Sequence, residues 1–309
     1  MRITSSVSLG RLLASVAVAG SLAFTSLANA APRTLDTAFG NVQINGTPQR
    51  VVTLGENALD AALAVDNQPL GALASRGGTD IPEYLKAKAG KPTLVGSVRE
   101  PNLEAVLGLQ PDLILAAPGL SRELYIKLSL IAPTIVPKGD MFDDWRDTFL
   151  LYADALNRED LAKQRLHAID QQIAALRERL PQGKTYSVVR WNPQGPIVMS
   201  SKLFVGQLLD QLGLRANAIS TAQEQRPHSD ILSLENLAKV DADWIFLATL
   251  NPDGRKALAA ARKQPAFSRL QAVKDNHLSS VDGQIWSSGS GYLAAQQVLA
   301  DVEKALAHP

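Results

Sequence analysis

The sequence predicts an α/β protein of two lobes, each a mostly parallel sheet flanked by helices, with a long helix between them. Three observations carry that reading. Short apolar runs alternate with helical patterns in both halves of the chain, the pattern of parallel strands joined by crossovers. Residues 142–180 hold no Pro or Gly. Finally, "LEAVLGLQPDLI" (103–114) returns as "LENLAKVDADWI" (234–245), so that Leu103, Glu104, Asp112 and Ile114 match Leu234, Glu235, Asp243 and Ile245, each 131 positions on (235 − 104 = 131). One phrase per half implies pseudo-twofold organisation.

In chain order, the first thirty residues read as an export signal. Arg2 and Arg11 supply positive charge, residues 12–24 form an apolar run, and "ANA" (28–30) is a small-residue cleavage site. The run is too short for an ordinary spanning helix, so cleavage after Ala30 is expected. No cysteine occurs anywhere, which leaves no residue to acylate and no disulfide to staple an exported fold. The expected product is a free periplasmic protein, not a lipoprotein. Cleavage leaves 29 Lys+Arg (31 − 2) against 30 Asp+Glu, a net charge near −1. That balance gives no broad field for nucleic acid.

In the first lobe, residues 31–140, buried strands are predicted at 50–54, 69–73, 112–117 and 133–136, with a helix over 57–65. The segment 141–182 is helical. Phe142, Trp145, Phe149 and Tyr152 recur at helical spacing, and Leu161, Leu166, Ile169, Ile173, Leu176 and Leu180 form one stripe of a helix over 158–180. Asn157 is the expected N-cap, and Glu159 and Asp160 suit the first turn. In the second lobe, residues 183–309, strands are predicted at 186–191, 196–199, 243–249 and 277–281, and a last helix runs from Tyr292 to about Leu306. In each copy of the repeated phrase, Asn102 and Ser233 can cap a short helix whose first turn carries Glu104 or Glu235.

Clefts in open parallel sheets are lined by loops at the carboxyl ends of strands. Those loops offer Glu56 and Asn57; Arg76 in "ASRGGTD"; Arg99 in "GSVREPN"; Ser121 and Arg122; Arg190, Trp191 and Asn192 in "VRWNPQG"; Arg226 and His228 in "QEQRPHSD"; and Trp286, Ser288 and Tyr292 in "GQIWSSGSGY". Trp145 and Trp244 lie within helix and strand patterns and are assigned to the core, which leaves Trp191 and Trp286 as the candidate cleft aromatics. The four histidines, 167, 228, 277 and 308, do not form a metal-binding set. No P-loop or cysteine nucleophile is present, and "SSGSG" lacks the spacing of a nucleophile elbow. No catalytic residue is assigned, and a periplasmic enzyme is the different-class alternative.

"TPQRVVTL", "DAALAV", "VGSVREPNLEAVLGLQPDLILA", "IAPTIV" and "SVDGQIW", in that order across residues 45–305, resemble the class III substrate-binding proteins of ABC importers. Among these the chain is similar to the periplasmic binders of ferric dicitrate and ferric hydroxamates. The resemblance implies two Rossmann-like lobes braced by a rigid interlobe helix, a monomer with a ligand cleft between its lobes. The ligand is a ferric siderophore whose iron is already held by the chelator, so the protein needs no cofactor and no metal ligands of its own. The partner is an ABC permease dimer with its ATPase subunits, and the positions at which the family docks onto permease arginines match Glu104 and Glu235. The expected ligand-binding residues are Glu56, Arg76, Arg99, Trp191, Arg226, Trp286 and Tyr292. The family's cleft arginine aligns at Val98, one residue before Arg99, and Ser288 and Ser290 stand where the dicitrate binder has arginines. Fewer fixed charges there favour a larger, less charged chelate, such as a hydroxamate or mixed-ligand siderophore, over dicitrate. Haem and cobalamin are the rival ligands of the same transporter class.

Overall fold

A computed structural model describes residues 1–2 and 32–306. Nearly all of the expected export signal, residues 3–30, lies outside the described residues, as does His308.

The described chain starts with an antiparallel hairpin, β1 (Arg33–Thr37) and β2 (Gly40–Ile44). Five parallel strands follow: β3 (Val51–Leu54), β4 (Gly71–Ala74), β5 (Thr93–Ser97), β6 (Leu113–Ala116) and β7 (Thr134–Ile135), in the order β5-β4-β3-β6-β7. The second sheet holds β8 (Thr185–Asn192), β9 (Gly195–Val198), β10 (Arg215–Ala216), β11 (Trp244–Thr249) and β12 (Leu278–Asp282). Its order is β10-β8-β11-β12, all parallel, with β9 antiparallel to β8. β3, β4 and β6 are buried throughout, as near-continuous apolar strands between helical layers must be. The α/β class with two mostly parallel sheets therefore stands as predicted. The hairpin, β5 and β10 went unpredicted: β1 and β5 carry polar residues, and β10 is only two residues long.

The sheets are separated by helices Trp145–Ala155 and Glu159–Arg179. At 1.5 Å per residue the second, of 21 residues, reaches about 31 Å. Leu166, Ile169, Ile173 and Leu176 are buried along its predicted stripe. Asn157, however, does not cap it. The Asn157 backbone is left-handed (φ 59°), and the Arg158 N–H donates to the Ala153 carbonyl at 2.7 Å. That 6→1 bond closes the preceding helix, and asparagine tolerates the conformation it requires. The side chain that opens the Trp145–Ala155 helix is Asp144, accepting from the Arg146 N–H.

The repeated phrase has a structural reason. Asp112, just before β6, accepts the N–H groups of Gln49 (2.8 Å) and Arg50 (2.9 Å), at the entry to β3. Asp243, just before β11, accepts the Thr185 N–H (2.8 Å) and hydroxyl (2.7 Å), at the entry to β8. Each aspartate pins the first N–H groups of the adjacent parallel strand, and those bonds hold the Asp243 carboxyl down at about 2. The short helices differ: Leu103–Gly108 is α-helical and capped by the Asn102 side chain, whereas Leu234–Val240 is a 3₁₀ helix without a cap bond from Ser233.

The terminal helix, Tyr292–Leu306, packs on both the long helix and the first-lobe helix Glu56–Ala64. Asp60 of that first-lobe helix is fully buried. Its two oxygens accept the N–H groups of Leu293 and Ala294, each at 2.9 Å, and the Tyr84 hydroxyl at 3.0 Å. One lobe thus supplies the N-terminal cap for a helix that follows the other. Gly291 makes room for it: its φ is +141°, and a Cβ there would stand 2.5 Å from the Asp60 carboxyl carbon.

Candidate ligand cleft

Loops from both lobes and the connecting segment enclose a cavity of about 630 Å³. The first lobe contributes residues 54–57 at the end of β3, Arg76 after β4, Val98, Arg99 and Pro101 after β5 and residues 117–121 after β6. The second contributes Val188 and Arg190 of β8, Met199, Ser200 and residues 203–206 after β9, Pro227, His228 and residues 285–290. Asp140, Met141, Asp143, Trp145 and Thr148 line it from the connection. Gly96 shapes the lip. Its φ of +104° lets residues 97–100 turn back on themselves and present Val98 and Arg99, and a Cβ would meet the Glu100 carbonyl at 2.4 Å.

Four of the seven expected ligand-binding residues line this cavity: Glu56, Arg76, Arg99 and Trp286. Trp191, Arg226 and Tyr292 do not, and each departure has a cause. Trp191 is 3% exposed and packs against Phe267 in the second-lobe core. Side chains alternate along β8, so Val188 and Arg190 face the cleft while Val189 and Trp191 face away. Period-two reading of "SVVRW" identifies Arg190 as the cleft residue of this strand. Arg226 is exposed and paired with Asp230 four residues on, leaving its neighbour His228 on the cavity wall. Tyr292 is 3% exposed in the interlobe core, stacked on Phe149 with ring centroids 5.8 Å apart.

Trp286 forms a fixed part of the wall and is only 1% exposed. Its ring stacks on Phe246 at 4.4 Å, and its Nε1–H donates to Asp301 Oδ2 at 2.7 Å. Trp145, assigned to the core, is buried and also lines the cavity. It meets Phe204 edge-on at 5.7 Å, and its Nε1–H has no partner. Helical spacing reported Trp145's burial correctly but carried no signal that a cavity lies beside it.

The cleft brings three guanidinium groups together with three carboxylates, and none of the three arginines forms a close ion pair. Among the described residues, none of the guanidinium groups of Arg76, Arg99 and Arg190 lies within 4.0 Å of a carboxylate oxygen. Arg190 Nε is buried without an acceptor, and burial, reinforced by the charge on Arg76, holds its pKa below the ordinary guanidinium value. Glu56 spends one oxygen on the Arg76 backbone N–H, at 2.6 Å, and burial raises its pKa against that bond. Asp140 and Asp143 sit at the exposed rim, their oxygens accepting the N–H groups of Phe142 and Asp140. No group of three His, Cys, Asp or Glu side chains converges to hold a metal among the described residues.

A family profile described as periplasmic binding protein matches residues 51–285, from the first strand of the first sheet to the cleft loop after β12. The chain belongs to that family. The periplasmic binding protein is 31% identical over 282 residues to the probable siderophore-binding lipoprotein YfiY of Bacillus subtilis, covering 88% of this chain and 86% of the relative. It is 27% identical to the Fe(3+) dicitrate-binding periplasmic protein FecB of Escherichia coli, covering 91% and 93%. The crystal structure of Staphylococcus aureus SirA complexed with staphyloferrin B matches with a TM-score of 0.76 at 28% identity, over 89% of this chain and 98% of that one.

In this binding protein the two acidic tips are exposed, Glu104 on the first turn of its α-helix and Glu235 on the 3₁₀ helix. Within four residues of each along the chain are exposed apolar side chains, Leu107 (57% exposed) in the first lobe and Leu234 and Ile231 in the second. No described helix is long and apolar enough to cross a membrane.

Proposed function

We propose that this periplasmic binding protein captures a ferric siderophore in the interlobe cleft and delivers it to an ABC importer. One observation carries the reading: a cavity of about 630 Å³, walled by both lobes and the helical connection, holds unpaired guanidinium groups and no set of metal-ligating side chains among the described residues. Such a site suits a small molecule that brings its own coordinated iron and presents oxygen atoms to protein donors. Relatives named as binding siderophores or ferric dicitrate support the same ligand class.

The protein acts as a monomer after export and cleavage of its leader, and it binds without turnover. Glu104 and Glu235 engage basic residues of the permease dimer, one per lobe, while the ATPase subunits drive release. Glu56, Arg76 and Arg99 contact the ligand from the first lobe, and the fixed Trp286 wall bounds it from the second.

The test is titration with a panel of ferric siderophores, haem and cobalamin, followed by intrinsic tryptophan fluorescence and thermal melting. A siderophore at a hundredfold excess over its dissociation constant should stabilise the protein by about 2.7 kcal/mol. Binding of haem or cobalamin with no response to any ferric chelate would overturn the reading.

A further inference from the structure

We infer that Gln284 is a positioning residue for ligand capture: its side-chain amide clasps the first-lobe loop that carries Arg76, so that a second-lobe group outside the cavity wall sets where a first-lobe ligand-binding residue stands. Gln284 acts here through Arg76, and its role therefore rests on the ligand reading proposed above.

The Gln284 backbone is anchored in the second lobe. It is the second residue of the helix Gly283–Ser288, directly after β12, and Asp282 Oδ1 accepts its N–H at 2.7 Å. Gly283 presses the start of that helix onto the Thr249 carbonyl at the end of β11, where a Cβ would find no room. From this fixed backbone the half-buried side chain crosses to the first lobe and makes two bonds there. Its Oε1 accepts the Glu83 N–H at 3.3 Å, and its Nε2 donates to Ser75 Oγ at 2.7 Å. A backbone N–H can only donate, so Glu83 fixes which way the amide faces and leaves Nε2 for the serine.

Both partners steady the same stretch of the first lobe. Ser75 is buried directly after β4 and immediately precedes Arg76, and its N–H donates to the Asp80 carbonyl at 2.8 Å, closing residues 75–80 into a turn. Glu83 opens the helix Glu83–Ala89, whose N-cap position, Pro82, gives it no side-chain cap. Gln284 supplies the acceptor that the first lobe lacks. Gly78 leaves space for the clasp, since a Cβ there would stand 2.6 Å from Ser75 Oγ and 3.3 Å from Gln284 Nε2. The Arg76 backbone is thus held on two sides, by Glu56 accepting its N–H and by the clasp on the residue before it. The clasp also sits at one end of the cavity wall 285–290, whose other end is tied to the first lobe where Asp60 accepts the Leu293 and Ala294 amides. The two lobes exchange helix caps across the cleft, and the exchange keeps the Arg76 turn and that wall in one register.

Neutral hydrogen bonds that trade with water are individually modest, so the clasp can form and open with the lobes. When the lobes part, Ser75 and Glu83 lose Gln284 together and the turn bearing Arg76 loses a support. When they close, Arg76 returns to one position. Holding it there before and after contact lowers the ordering cost that binding would otherwise meet.

The experiment uses the mature protein and three ferric chelates, citrate, a trihydroxamate and a tris-catecholate, with variants compared on whichever the wild type binds most tightly. Stopped-flow tryptophan fluorescence gives association and dissociation rates. Gln284→Met, which keeps the length of the side chain and removes its polar atoms, should weaken binding about tenfold, almost wholly through faster dissociation. Ser75→Ala, which opens the clasp from the other lobe, should weaken it about threefold or more. The readout that separates positioning from simple stability is a double-mutant cycle: in an Arg76→Gln background, Gln284→Met should cost less than about twofold further. Circular dichroism checks the folding of each variant, and Ser75→Ala reports even where Gln284→Met fails to fold. Equal losses from Gln284→Met with and without Arg76, or wild-type affinity in both clasp variants, would overturn the positioning role and leave the siderophore reading standing. Failure of the wild type to bind any of the three chelates would overturn both.

Discussion

Asp60→Asn is the perturbation that most directly probes how the two lobes are joined. Asp60 is fully buried, and burial pushes its carboxyl up to about 7, against the pull of the Leu293 and Ala294 amides and the Tyr84 hydroxyl. A folded value raised above the unfolded one, near 3.8, means that the folded state holds a proton the unfolded state gives up. The resulting stabilisation is fully present below the unfolded value and is lost as pH rises through about 7. The interval is roughly three pH units at 1.36 kcal/mol each, or about 4 kcal/mol. Asparagine does not titrate, keeps one oxygen for the Leu293 N–H, and leaves the Ala294 N–H unpaired at a cost of about 1–3 kcal/mol. Urea unfolding of both proteins, followed by circular dichroism between about pH 4 and pH 8, isolates the effect, because every other carboxylate cancels in the difference. The advantage of the wild type over Asp60→Asn should grow by about 4 kcal/mol as pH falls across that range. A difference that stays flat would refute the argument and mean that the Asp60 site is hydrated or its carboxyl unshifted.

Other outcomes follow from the same geometry. Glu104→Arg combined with Glu235→Arg should abolish uptake while ferric-ligand affinity stays within about twofold, measured by radioiron import and fluorescence titration; a large loss of affinity would place both residues in the cleft or the core. Trp191→Phe should lower stability by about 1 kcal/mol through imperfect filling of the second-lobe core and leave ligand affinity unchanged, since the ring faces away from the cavity. Quenching of Trp191 fluorescence by direct ligand contact would contradict that placement.

Much of the cleft was legible because loop positions follow from strand order. Glu56 and Arg76 each sit just after a predicted first-lobe strand and line the cavity, whereas Arg99 follows β5, which carried no strand signal. The errors fell where a side chain's orientation, rather than its position, decides. Trp191 and Arg190 are adjacent in sequence, and only the pleat sends one to the core and the other to the cleft. Tyr292 begins the last helix as expected, yet its ring is committed to Phe149 of a helix more than a hundred residues earlier. Trp286 was placed at the right wall, but its engagement with Phe246 and Asp301 depends on packing between elements.

The sequence by itself determined the two sheets, the long helix between them and the paired aspartates, because hydrophobic period acts among near neighbours and the aspartates recur within a recognisable phrase. Tertiary structure alone decided that Asp60 would cap a helix 233 residues away, and that Arg76 and Arg190 would share one cavity. Such pairings depend on how finished elements dock. The free energy of a buried charge is set by what surrounds it in space, and no local pattern along the chain records that surrounding.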